Sequence, residues 1–228
     1  MKSDHSAGGQ TAHEFARATL RHAILTGQIP AGSRLVQTDL AAQLSLSTTP
    51  VREALRDLAT EGLIRFDAHR GAVVHRLTQR EVEEIYRIRG LLEPEIIRRA
   101  AERITAAQLN EAERVQRAAD SETDAAKWSD LNLRFHAIFS EAADSPRLGT
   151  MVGGLQDTAA PYVLASFLHG RQRQTGGPSA HWQLLEALRD RDAERAVRIT
   201  VDHIHATYEA VVAATNFSQF APLSLNPS

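Results

Sequence analysis

Three histidines and one amide are among the residues of this 228-residue chain whose types could do chemistry. Asn132 and His136 stand four apart, so on a helix their side chains share one face. His181 lies at the start of a later helical stretch, and His203 follows 22 positions on. His205 points about 200° away from His203 at 3.6 residues per turn, so only one of that pair can face a common interior. Neutral imidazoles with an oxygen donor are ligand types suited to zinc, nickel or a similar divalent ion. Taken singly, each of these histidines is an ordinary polar residue, as are His5, His13, His22, His69, His75 and His169. Spacing alone does not bring them together.

A different chemistry is concentrated near residue 50. Ser47 suits a helix N-cap, and Pro50 fits the first helical turn, where its missing N–H costs nothing. The helix that follows buries Val51, Ala54, Leu55 and Leu58 and leaves Thr48, Thr49, Arg52 and Arg56 on another face. Hydroxyls and an arginine at the exposed start of a short helix suit the DNA major groove. A third candidate is Arg89, four before Glu93, at the spacing of an i, i+4 ion pair.

The elements that must hold these residues are mostly helical. Residues 13–25 form a first helix with Phe15, Leu20 and Ile24 on its apolar side, ended by Gly27. Leu35, Leu40 and Leu44 fall at helical spacing and define a second. Thr60-Glu61-Gly62 stops the third. Residues 64–67 and 72–75 form two short strands joined by a turn over 68–71. A boundary falls near 76–79, where Thr78 and Glu81 make a capping box, and Thr105 with Gln108 makes another. The helix from Thr78 carries Ile85, Ile88, Leu92, Ile96 and Ile97, with a kink expected at Pro94. Further helices are expected over 105–121, 124–143, 147–168, 180–189 and 192–214, with breaks at 144–146 and 175–178. The fold class is thus mainly α: a winged helix-turn-helix with a small β-hairpin wing over 11–76, then an all-α helical bundle over 77–215. Residues 1–10 are expected as a flexible leader and 216–228 as a flexible tail.

At 228 residues the chain can hold one or two domains, and its composition supports a packed core. Apolar residues make up 43% of the chain and aromatics only 5%, a balance that favours helices. There is no cysteine, which excludes disulfides and cysteine-bound zinc and points to a cytoplasmic protein. No run of about 18 apolar residues occurs, so no membrane span is expected. The net charge of −2 is unevenly spread: residues 1–80 hold ten Lys/Arg and seven Asp/Glu (+3), and residues 81–228 hold sixteen and twenty-one (−5). The first part is the one that can meet phosphates.

Residues 20–74 resemble the winged helix-turn-helix of the GntR family of bacterial transcription regulators. The matching words are AILTGQIPAGSRL (23–35), DLAAQLSLS (39–47), TPVREALRDLATEGLI (49–64) and the wing glycine Gly71. The family often has arginine where Thr48 stands, so a bidentate guanine contact is lost here. Residues 78–214 resemble the helical FCD domain of the FadR subgroup, through RIRGLLE (87–93), NLRFHAIFSEAADSPRL (132–148), HWQLLEALRDRDAERAV (181–197) and His203.

The resemblance implies a homodimeric regulator, more usually a repressor than an activator, that reads an inverted repeat of operator DNA through Arg34, Thr48, Thr49, Arg52 and Gly71. It also implies a divalent metal, zinc or nickel, on Asn132, His136, His181 and His203, with Arg89 facing a small-molecule carboxylate effector. Asn132 stands where aspartate is common, and an uncharged amide weakens the metal. Two rival readings are a metal-dependent helical hydrolase and a DNA-binding protein with a metal-free dimerisation domain. The first needs a general base beside its metal, and no carboxylate lies one turn from the histidines in an obvious base position.

Overall fold

Apolar residues three and four positions apart build the first part of the protein. The computed structural model describes residues 11–170 and 177–215, which separate into two units: residues 11–24 with 28–75, and residues 25–27 with 76 onward. The leader over 1–10, the tail over 216–228 and the break at Thr175-Gly176 lie outside the described residues.

In the first unit, α1 (Ala12–Leu25) buries Ala16, Leu20 and Ile24, and α2 (Gln37–Leu44) buries Leu40 and Ala41. Next, α3 (Thr48–Thr60) buries Val51, Ala54, Leu55 and Leu58. Arg17 donates to Glu61 at 2.7 Å, and His13 meets Asp57 at 2.8 Å, tying α1 to the far half of α3. Ser47 occupies the N-cap of α3 with extended backbone, but its side chain makes no cap hydrogen bond, contrary to expectation.

The wing is larger than a hairpin. Arg34–Leu35 form β1, and with β2 (Ile64–Asp67) and β3 (Gly71–Val74) they make an antiparallel sheet in the order β1-β3-β2. Arg34 pairs with Val73, Ile64 with Val74, and Asp67 with Gly71. Leu35 therefore belongs to a strand and not to the helical row of Leu40 and Leu44. It is buried either way, so periodicity could not separate the two assignments. The last strand also begins one residue earlier than expected. At the tip, the Asp67 carboxylate accepts the backbone N–H groups of His69 and Arg70, both at 2.9 Å. Gly71 then sits at φ +72°, a conformation costly for any residue with a Cβ.

The second unit contains α4 (Gln79–Arg103), α5 (Ala106–Ser121), α6 (Ala125–Ala142), α7 (Pro146–Leu168), α8 (Gly177–Arg189) and α9 (Ala193–Ala214). Both expected capping boxes are present, Thr78 with Glu81 and Thr105 with Gln108. The helical run of α4 continues through Pro94; the carbonyl its ring would crowd belongs to Gly90. The start of α8 lies three residues before the expected one, so Gly177-Pro178 opens the helix and is not part of the break. Phe135, Ile138 and Phe139 of α6 meet Leu185 and Leu188 of α8 and Ile97 of α4 in one core. A second core joins Tyr86, Trp128, Tyr162, Ile204 and Val211. Packing of α9 against α4 and α8, and of α5 against α6 and α8, brings five helices around one interior. Among the described residues no helix is long and apolar enough to cross a membrane.

Candidate functional site

The first unit leaves its candidate residues in solvent. Thr48 and Thr49 open α3, and Arg52 follows one turn on; all three are exposed opposite the buried Val51-Ala54-Leu55-Leu58 face. Arg34 is exposed on β1, and Gly71 is exposed where β3 begins. Fixed backbone with free polar ends is the arrangement a groove-reading element needs.

The second unit does the reverse. His136 on α6, His181 on α8 and His203 on α9 converge, with ligand nitrogens all within 4.8 Å of one another. His181 Nε2 lies 3.2 Å from His203 Nε2. His205 is exposed on the outer side of α9, as its position two residues from His203 requires. Phe135 stacks on the His181 ring at 4.3 Å between centroids, which limits how that ring can tilt.

Two adjoining recesses open on this cluster, and His136, Gln156 and His203 line both. One adds Glu93, His181 and Thr200. The other adds Arg89, Asn132 and Thr207. Asn132 thus shares a recess with two of the histidines, and Arg89 lies on its wall. The Arg89 Nε donates to Glu93 at 2.6 Å in a buried ion pair, and its guanidinium lies 4.6 Å from the centroid of the Tyr86 ring. Arg89 thus pairs with Glu93 and also lines the recess.

Electrostatics keep the three imidazoles neutral. His136 and His203 keep part of their surface open. Even so, burial pushes each down to about 3, helped by Arg89 for His136 and by His136 and then Arg89 for His203. His181 is held well below the ordinary imidazole value, by burial first and then by its two histidine neighbours. All three rings are neutral at pH 7 and offer lone pairs. The rings consequently stay neutral well below the value of about 6.5 that a free imidazole has. For Arg89, burial opposes the charge, but Glu93 and Tyr86 together outweigh it and the guanidinium is held more firmly protonated than usual.

Sequence reasoning missed the outer partners. Gln116 on α5 meets His181 Nδ1 through Oε1 at 2.7 Å. Its amide nitrogen donates to Asp120 Oδ1 at 2.7 Å, and Trp182 Nε1 donates to Asp120 Oδ2 at 2.9 Å. The four-residue spacing of Gln116 and Asp120 was visible, but nothing in the sequence aims them at a residue 65 positions away. Gln156, on the walls of both recesses, was missed likewise.

Comparison with known proteins covers both units. Residues 12–74 match the family of bacterial regulatory proteins called gntR, and residues 84–206 match the FCD domain. The gluconate operon transcriptional repressor of Bacillus subtilis is 31% identical over 167 residues, covering 72% of this chain and 66% of the repressor. The HTH-type transcriptional repressor RspR of Escherichia coli is 28% identical over 199 residues, covering 84% of this chain and 85% of that protein. Among solved structures, McbR/YncC of E. coli has the same fold, with a TM-score of 0.77 at 23% identity over 92% of this chain and 99% of that one.

Proposed function

This chain belongs to the gntR family of bacterial regulatory proteins with an FCD domain, DNA-binding transcription regulators and not enzymes, and we propose that it is a homodimeric repressor released or tightened on its operator by a small carboxylate held at a divalent metal. The observation that carries this reading is the convergence of three neutral imidazoles from three helices beside a recess walled by Arg89. Zinc or nickel is the fitting ion, held by His136, His181 and His203 with the Asn132 amide oxygen as a weak fourth donor. Such an ion supplies open coordination positions for a carboxylate oxygen. Arg89 contributes the complementary charge, since one guanidinium edge engages Glu93 and further N–H groups remain for a ligand. The effector acts only insofar as it binds one arrangement of the dimer better than the other.

At the DNA, α3 enters the major groove with Thr48, Thr49 and Arg52, while Arg34 and the wing turn at Gly71 approach the backbone or an adjacent base. One winged helix reads few base pairs, so two chains on an inverted repeat are expected. The test starts with DNA selected from a random pool by the full-length protein. Selected sites should hold an inverted repeat and bind two chains per duplex. Arg52→Ala should weaken them by about 1–3 kcal/mol while sparing nonspecific DNA. Gluconate and other hydroxy- and dicarboxylates, given with nickel, should shift the affinity of wild type and not of Arg89→Ala or His181→Ala. Unchanged specific binding by Arg52→Ala would remove Arg52 from the readout.

A further inference from the structure

We propose that Gln116 and Asp120 are positioning residues that fix His181 as its Nδ1–H tautomer, so that the Nε2 lone pair faces the point shared with His136 and His203. The consequence for metal rests on the reading above; the tautomer itself does not.

The argument is a chain of donors and acceptors. An ionised carboxylate only accepts. Asp120 therefore accepts from both its neighbours, the Trp182 indole N–H and one N–H of the Gln116 amide. Once the amide nitrogen faces Asp120, the amide oxygen must be the atom at 2.7 Å from His181 Nδ1. An amide oxygen only accepts, so Nδ1 carries the proton. A neutral imidazole has one N–H, and His181 is buried against an amide oxygen and a second imidazole, neither of which balances a full charge. Its Nε2 is then a bare lone pair, directed toward His203 Nε2 at 3.2 Å. The direction of every hydrogen bond follows from one exposed carboxylate at the outer end of the relay. Trp182 is the residue after His181, so the same carboxylate also anchors α8 next to that ring.

Outer partners of this kind set ligand orientation and basicity in metal sites, and their loss costs about 10–100-fold in affinity. The relay makes a sharper demand than a simple packing role. In Asp120→Asn, the introduced amide still accepts from Trp182 with its oxygen, so its nitrogen turns to Gln116. Gln116 must then flip, present its own N–H to His181 Nδ1 and force the proton onto Nε2. Adding Gln116→Glu to Asp120→Asn restores an acceptor at Nδ1 while keeping the indole bond, because the new carboxylate accepts from both the new amide and His181.

The test uses full-length protein labelled with ¹⁵N-histidine and freed of metal by chelator, with tautomers read from long-range ¹⁵N–¹H spectra. Zinc and nickel affinities are measured in parallel by competition with a chelating dye. Expected are an Nδ1–H His181 in wild type, an Nε2–H His181 with about 10–100-fold weaker metal in Asp120→Asn, and recovery of both in the double variant. A wild-type His181 protonated on Nε2, or a tautomer that Asp120→Asn leaves unmoved, overturns the relay. If the tautomer inverts as stated but no variant and no wild type holds metal, the relay stands and the metal reading falls. If metal binds through His181 while the tautomer stays put, the reverse holds.

Discussion

The two units use charge in opposite ways. Around α3, the ion pair of Arg17 with Glu61 is between side chains 43% and 26% exposed, and it ties elements together at the surface. In the helical unit, Arg89 and Glu93 are 5% and 7% exposed and stand against the recess. Water screens the first pair; little screens the second. A surface that must meet phosphates gains from mobile, hydrated cations. The buried pair beside the recess has its charge and direction already set, which suits the metal and carboxylate site proposed above.

That contrast predicts unequal costs. Glu93→Ala strands a buried guanidinium and should destabilise the helical unit by about 3–5 kcal/mol, whereas Glu61→Ala should cost about 1 kcal/mol or less. Urea unfolding of both variants, followed by helical signal, measures the difference. Equal small losses would mean that Arg89 finds other partners in the recess and is not locked to Glu93.

A second consequence concerns pH. In the folded chain His136 and His203 are held near about 3, against about 6.5 when unfolded. Between those values the unfolded state binds more protons, so stability rises with pH across that window and is lost progressively as pH falls below about 6.5. Thermal unfolding of chelator-treated protein should show this decline between about pH 7 and about pH 5. His136→Gln should flatten it, and the exposed His205→Gln should not. A slope unaffected by His136→Gln would contradict neutral burial of the cluster.

Legibility followed the same division. The helix-turn-helix and both capping boxes were readable because each depends on residues within a few positions of one another. The failures were also local ones of degree: Leu35 is buried as a strand residue where a helix residue would be buried too, and Ser47 takes the cap position without the cap bond. The three histidines could be grouped only through the family resemblance, since their convergence depends on how α6, α8 and α9 pack. Gln116, Asp120 and Gln156 were beyond reach altogether. Their partners lie across the bundle, and a glutamine on a helix carries no mark of what it faces.

The claim that the helical unit is a metal-held sensing site is tested most directly by counting ions. Full-length protein equilibrated with zinc or nickel and examined by native mass spectrometry should carry one ion per chain. The ion should be lost in His136→Ala and His181→Ala, retained in Arg52→Ala, and held on the order of tenfold more tightly in Asn132→Asp, the equivalent of about 1.4 kcal/mol from a charged oxygen. Wild-type protein that takes up neither ion, while still binding its selected DNA, would contradict the account.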